Sequence, residues 1–127
     1  MAISPWEYNL TLTSPDGLHH AVIVNADEIA MGAPTSGELI IDGKIEVENC
    51  NPSAVWSNNS RYLAIPQWTD DRLQRLVVVD TETNKIIKSK HSYSVLVLNG
   101  FEETLINYID SPNTKNKELE IDFTNMQ

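Results

Sequence analysis

The sequence predicts an all-β domain, an antiparallel meander of about eleven short strands. Apolar and polar residues alternate with a period near two over much of the chain. Clusters of Ser, Pro, Asp, Asn and Gly punctuate the apolar runs as turn signals. The pattern of runs and turns also repeats along the chain, and helical spacing never persists for three turns.

The first strand is expected over Trp6 to Thr13, where Tyr8, Leu10 and Leu12 alternate with Glu7, Asn9 and Thr11. Ser14-Pro15-Asp16-Gly17 is its turn, and Leu18 to Val24 is the return strand. After a long loop, Gly37 to Asp42 passes through Asp42-Gly43 into Lys44 to Glu48, a second hairpin. The same order recurs in Arg61 to Gln67, a loop, Gln74 to Asp80, and a following strand over Lys85 to Lys90. Pro66 lacks an N–H for the ladder, so a bulge or a sheet edge is expected there. A third unit runs from Thr104 to Asp110, through a loop at Ser111-Pro112-Asn113, to Lys117 to Asp122, and stops near the C-terminus. The closing aspartates are Asp42, Asp80 and Asp122.

The stretch Ala54-Val55-Trp56-Ser57-Asn58-Asn59-Ser60-Arg61-Tyr62-Leu63-Ala64, followed by Leu76 to Asp80 and Thr81-Glu82-Thr83-Asn84-Lys85-Ile86, resembles a blade of the WD-repeat and TolB-like β-propellers. In that pattern a Trp-Ser-Pro-Asp-Gly-like turn leads into a Tyr-Leu-Ala strand, and an apolar strand ends in Asp before a Thr-rich turn. Ser14-Pro15-Asp16-Gly17 repeats the turn in the first unit. The resemblance is strongest over residues 53–88 and implies three blade-like units. Propellers close with typically four to eight blades, and this chain holds fewer than three complete ones. An open twisted sheet or a sandwich is therefore expected, not a closed propeller.

The composition narrows the chemistry. At 127 residues with 41% hydrophobic content the chain forms one domain with a modest core, and its formal net charge is −9. Residues 1–60 contain eight acids against the single base Lys44. Such a surface repels nucleic acid and anionic lipid. No run approaches the roughly 20 apolar residues of a membrane helix, and the first residues lack the basic start and apolar run of a secretion signal, so a cytoplasmic protein is expected. The histidines are His19, His20 and His91, and adjacent strand residues face opposite sides, so neither a metal site nor a cofactor is expected. Cys50, the single cysteine, reads as a small buried residue. The glycines are isolated at turns, which excludes a phosphate-cradling loop, and Asn58-Asn59-Ser60 reads as a turn.

The loops between the second and third strands of the units differ most. The first contains Asp27, Glu28, Ile29 and Met31; the second contains Trp68, Asp70, Asp71 and Arg72. If the units are arranged as blades, the resemblance implies that these loops emerge on one side, near Asn49 to Pro52 and the segment around His91. Asp27, Glu28, Met31, Trp68, Asp70, Asp71 and Arg72 then form an acidic surface with apolar anchors, suited to binding a protein. The alternative is that Trp68 and Met31 turn inward and the acids are merely solvated. The expected function is non-catalytic: an immunity protein or inhibitor that neutralises a basic toxin, such as a nuclease, by direct binding. Two other readings are a small-molecule sensor or minimal enzyme using Glu28, Asp70, Arg72 and His91, and a structural protomer that self-associates through open edges.

Overall fold

The computed structural model describes residues 2–111 and 117–126. Eleven antiparallel strands run β1 (Leu10–Thr13), β2 (His20–Glu28), β3 (Thr35–Ile41), β4 (Ile45–Cys50), β5 (Val55–Trp56), β6 (Tyr62–Trp68), β7 (Gln74–Asp80), β8 (Lys85–Tyr93), β9 (Val95–Glu102), β10 (Leu105–Ser111) and β11 (Leu119–Asp122). A 3-10 turn, Phe123–Asn125, follows. The expected loop residues Pro112 and Asn113 lie outside the described residues.

The strands form three blade-like meanders. β1 to β4 make the first, β5 to β8 the second and β9 to β11 the third. The first two are joined edge to edge only where Cys50 pairs with Gln67. Among the described residues no sheet closes on itself.

The middle meander explains the packing. In β6, Leu63 and Ile65 face one core cluster and Ala64 the other; in β7, Val77 and Val79 face the first while Leu76 and Val78 face the second. Strands buried on both faces read as continuous apolar runs, as Leu76-Val77-Val78-Val79 does. The first cluster is completed by Ala21, Ile23, Leu39, Ile41, Ile45 and Val47 of the first meander. The second is completed by Leu96, Leu98, Phe101, Ile106 and Tyr108 of the third. β2, β3 and β4 face the middle meander with one side only, hence their alternation.

Polar stitches fix the sheets against one another. Trp56 Nε1 donates to the Leu12 carbonyl at 2.9 Å between the first and second meanders. Ser53 Oγ accepts from Leu98 N at 3.1 Å between the second and third.

The repeat extends to turn chemistry. Ser14 Oγ donates to Asp16 Oδ1 and accepts from His19 N; Ser57 Oγ donates to Asn59 Oδ1 and accepts from Tyr62 N in the same way. Gly17 and Ser60 occupy matching positions with φ of +76° and +65°. Each turn feeds a closing aspartate. Asp42 accepts from His19 Nδ1 at 2.7 Å and from His20 N at 2.8 Å, while Asp80 is gripped by Arg61 at 3.0 and 2.8 Å.

Pro66 sits in β6 without a bulge against β7. Its carbonyl accepts from Asn51 N, so its missing N–H faces the side where β6 exchanges β5 for β4 as neighbour. The first strand is shorter than expected, because Ser4-Pro5-Trp6-Glu7 is a turn closed by Glu7 N donating to the Ser4 carbonyl at 3.1 Å. β2 is longer and runs through a bulge between Val24 and Asp27 to Glu28.

The closing aspartates impose a pH dependence. The Arg61 guanidinium holds the Asp80 carboxyl down at about 2. Asp42 is lowered despite its burial by the His20 amide and His19, and Asp122 by the Thr124 hydroxyl. A carboxyl with a depressed folded-state value contributes stability above its unfolded value of about 3.8 and loses it as pH falls through the folded value. Urea midpoints are therefore expected to hold down to about pH 4 and to fall between about pH 4 and 2, less steeply in Asp80→Asn.

Candidate functional site

All the loops in question lie at one end of the meanders. The registers place the ends of β2, β4, β6 and β8 beside the starts of β3, β7 and β9, together with residues 5–8 ahead of β1.

Thr35, buried at the start of β3, ties this end together. Its amide donates to the Pro5 carbonyl at 3.2 Å and its hydroxyl to the Glu7 carbonyl. Its own carbonyl accepts from Asn51 Nδ2 at 2.9 Å and from Trp68 Nε1 at 3.0 Å. Asn51 Nδ2 also donates to the Pro5 carbonyl at 2.7 Å. The N-terminal segment, the β2–β3 loop, the β4–β5 connection and the end of β6 thus meet at one residue.

The loop after β2 presents its apolar residues outward for a local reason. Ala33 N closes a turn onto the Ala30 carbonyl at 3.0 Å, and Gly32 has φ +77°. Glycine suits that third position, and the second, Met31, is pushed to the tip. Met31 is 98% exposed. Trp6 Nε1 donates to the Gly32 carbonyl at 2.9 Å, and Tyr8 Oη donates to Glu28 Oε1 at 3.2 Å. Desolvation and the neighbouring Glu28 carboxylate raise the Tyr8 phenol above its ordinary range. Trp6 (50% exposed), Tyr8 (46%), Ile29 (37%) and Met31 therefore lie along one corner with Glu7, Asp27 and Glu28.

This corner was legible in part. Met31, Asp27 and Glu28 are where the sequence implies, and Met31 does not turn inward. Trp68 joins the same end through Thr35 but is half-buried. Trp6 and Tyr8 escape the sequence reading because the alternation from residue 6 to 12 assigns them to a strand. The signal that could have found them is Ser4-Pro5, which matches the turn signature of Ser14-Pro15.

Asp70, Asp71 and Arg72 form the tight turn after Trp68. Thr69 N donates to the Leu73 carbonyl at 2.8 Å, Arg72 N to the Thr69 carbonyl at 3.2 Å, and the Thr69 hydroxyl to Asp71 Oδ1. The Thr69 hydroxyl holds the Asp71 carboxyl below its usual range. Among the described residues no hydrogen bond or ion pair links this turn to Asp27, Glu28 or Met31. Arg72 has φ +62°, a left-handed conformation that costs a side-chain-bearing residue about 1 kcal/mol. Arg72→Gly is expected to raise stability by about 0.5–1 kcal/mol in urea melts.

The other titratable candidates are not assembled. Glu28, Asp70, Arg72 and His91 share no described hydrogen bond, and His91 packs its ring edgewise on Tyr93 at 4.7 Å. Cys50 is fully buried, and burial pushes its thiol up to about 12, which disfavours the nucleophilic thiolate. Among the described residues no three His, Cys, Asp or Glu side chains are grouped to hold a metal ion, and no helix is long and apolar enough to cross a membrane.

No protein-family model matches the chain, and no curated protein matches it in sequence. Among solved structures it is similar to the β-propeller domain of the Trilobed protease from Pyrococcus furiosus, a domain described as having an open velcro topology, with a TM-score of 0.47 and 13% identity. The match covers 91% of this chain and 44% of that one, so the chain spans less than half the length of that structure.

Proposed function

We propose that this protein binds another protein through the corner formed by Trp6, Tyr8, Ile29 and Met31, and that the partner is basic. One observation carries this reading. Four of the seven large hydrophobic side chains most exposed among the described residues gather at this corner, where the fold holds them outward. Exposed apolar anchors rimmed by charge mark protein-binding surfaces. The rim here is acidic, with Glu7, Asp27 and Glu28, and the first 43 residues contain no Lys or Arg. A cationic partner is the electrostatic complement, and attraction of this kind speeds association. The finer proposal is an immunity-type inhibitor that neutralises a basic toxin by occupying its surface, in the cytoplasm, with no catalytic step of its own.

Edge pairing has weaker support. The outer strand β8 carries Lys85, Lys88 and Lys90, and charges along an edge oppose the addition of another strand.

The test is capture from the source cell's lysate at low and high salt, comparing the wild type with Ile29→Ser/Met31→Ser and with Asp27→Asn/Glu28→Gln. A basic protein held by the wild type is expected to lose about tenfold or more in affinity with the serine variant. The amide variant is expected mainly to slow association. The captured protein's own activity, assayed with and without this chain, then tests inhibition. A partner retained equally by all three proteins would sink the proposal.

A further inference from the structure

A second recognition feature lies on the other side of Trp68, where β4 and β6 part company. Beyond the Cys50–Gln67 pair a groove of about 270 Å³ opens between the ends of the first two meanders, lined by Glu48, Trp68, Asp70, Arg75 and Lys88 among others. Its volume lies just below the roughly 300 Å³ at which ligand pockets begin, and suits a molecule of a few heavy atoms.

The floor is built in a fixed order. Gln67 Nε2 donates to the Glu48 carbonyl at 2.8 Å, which orients the amide; Gln67 Oε1 then accepts from Arg75 Nε at 2.9 Å, which orients the guanidinium. The two terminal nitrogens of Arg75 remain. No acid among the described residues lies within ion-pair distance of Arg75 or of Lys88, although acids outnumber bases two to one in this chain. Arg61, by contrast, is paired with both Asp80 and Glu82. A register shift between Arg75 and Val77 sets Lys88 opposite Val77, on the same face of the sheet as Arg75. Lys88 lines the groove together with Arg75.

Two cations without acid partners, one of them pre-oriented, make a receptor for a carboxylate. Glu48 and Asp70 on the walls disfavour a dianion and favour a neighbouring positive group. We propose that this groove binds a small zwitterionic carboxylate of the α-amino-acid type. Its carboxylate lies on Arg75 and Lys88, its ammonium group toward Asp70 and Glu48, and the Trp68 ring lies beside it. The site shares no charged residue with the protein-binding corner, so either proposal can fail without the other.

The test is an NMR titration of the full chain with L-alanine, acetate and methylammonium chloride at matched ionic strength, following the Trp68 indole N–H. L-Alanine is expected to give a saturable shift, with acetate weaker by about tenfold and methylammonium giving none beyond the salt control. Arg75→Gln is expected to weaken L-alanine by about tenfold or more. Lys88→Gln, an exposed change that leaves the Gln67 relay intact, is expected to weaken it by about threefold or more. Equal binding of acetate and L-alanine would overturn the zwitterion assignment. Shifts no larger than those from sodium chloride, or titrations unchanged in both variants, would overturn the site itself.

Discussion

Leu63→Ala is expected to destabilise the protein by about 2–5 kcal/mol, read as a lower urea midpoint with an unchanged slope. Leu63 is fully buried in the cluster shared by the first and middle meanders. Truncation removes its transfer energy and leaves a cavity between its cross-strand partners Trp56 and Val79, in paired strands that relax poorly into the space. Leu76→Ala should cost a similar amount, although Leu76 belongs to the other cluster. Because the two side chains lie on opposite faces of the middle meander, their effects should add to within about 0.5 kcal/mol. The sum approaches the roughly 5–15 kcal/mol that stabilises a small domain, so the double variant should be largely unfolded at 37 °C. Ile86→Ala, at a 39% exposed position, should change stability by no more than about 0.5 kcal/mol. If Leu76→Ala proves as mild as Ile86→Ala, the third meander is not packed on the second as described.

Asn51→Ala should have the second large effect, about 2–4 kcal/mol, and a functional consequence that Leu63→Ala lacks. The Asn51 side chain is fully buried and makes three hydrogen bonds, donating to the Pro5 and Thr35 carbonyls and accepting from Ser53 N at 3.1 Å. Alanine leaves those groups short of partners in a site without room to reorganise. The Pro5 carbonyl retains the Thr35 amide, so the fold should survive while residues 5–8 are held less tightly. Hydrogen exchange should show the Glu7 amide less protected, and partner binding should weaken although no exposed residue has changed. Unaltered protection there would mean that Asn51 does not hold residues 5–8 in place.

Strand content, the repeat and the turns follow from local residue pattern. Period-two alternation in β3 and β4 follows from one buried face, and a one-residue slip would expose Leu39, Ile41 and Val47 together, so the register is strongly specified. The Ser14 and Ser57 turns are closed by side chains within five residues, and chemistry that local is legible without the fold. How those units meet depends instead on contacts between residues far apart in the chain. Trp6 and Tyr8 belong to the surface because Pro5 and Glu7 are held by Thr35 and Asn51, 28 to 46 residues away in the chain. Arg75 is oriented because Gln67 on the neighbouring strand and the Glu48 carbonyl of the first meander fix it, whereas Arg72, three residues earlier, is committed to a turn. Periodicity records which face of a strand is buried, but long-range hydrogen bonds to backbone carbonyls leave no periodic trace. For that reason the buried faces of β3 and β4 could be read in advance and the placement of Trp6 and Tyr8 could not.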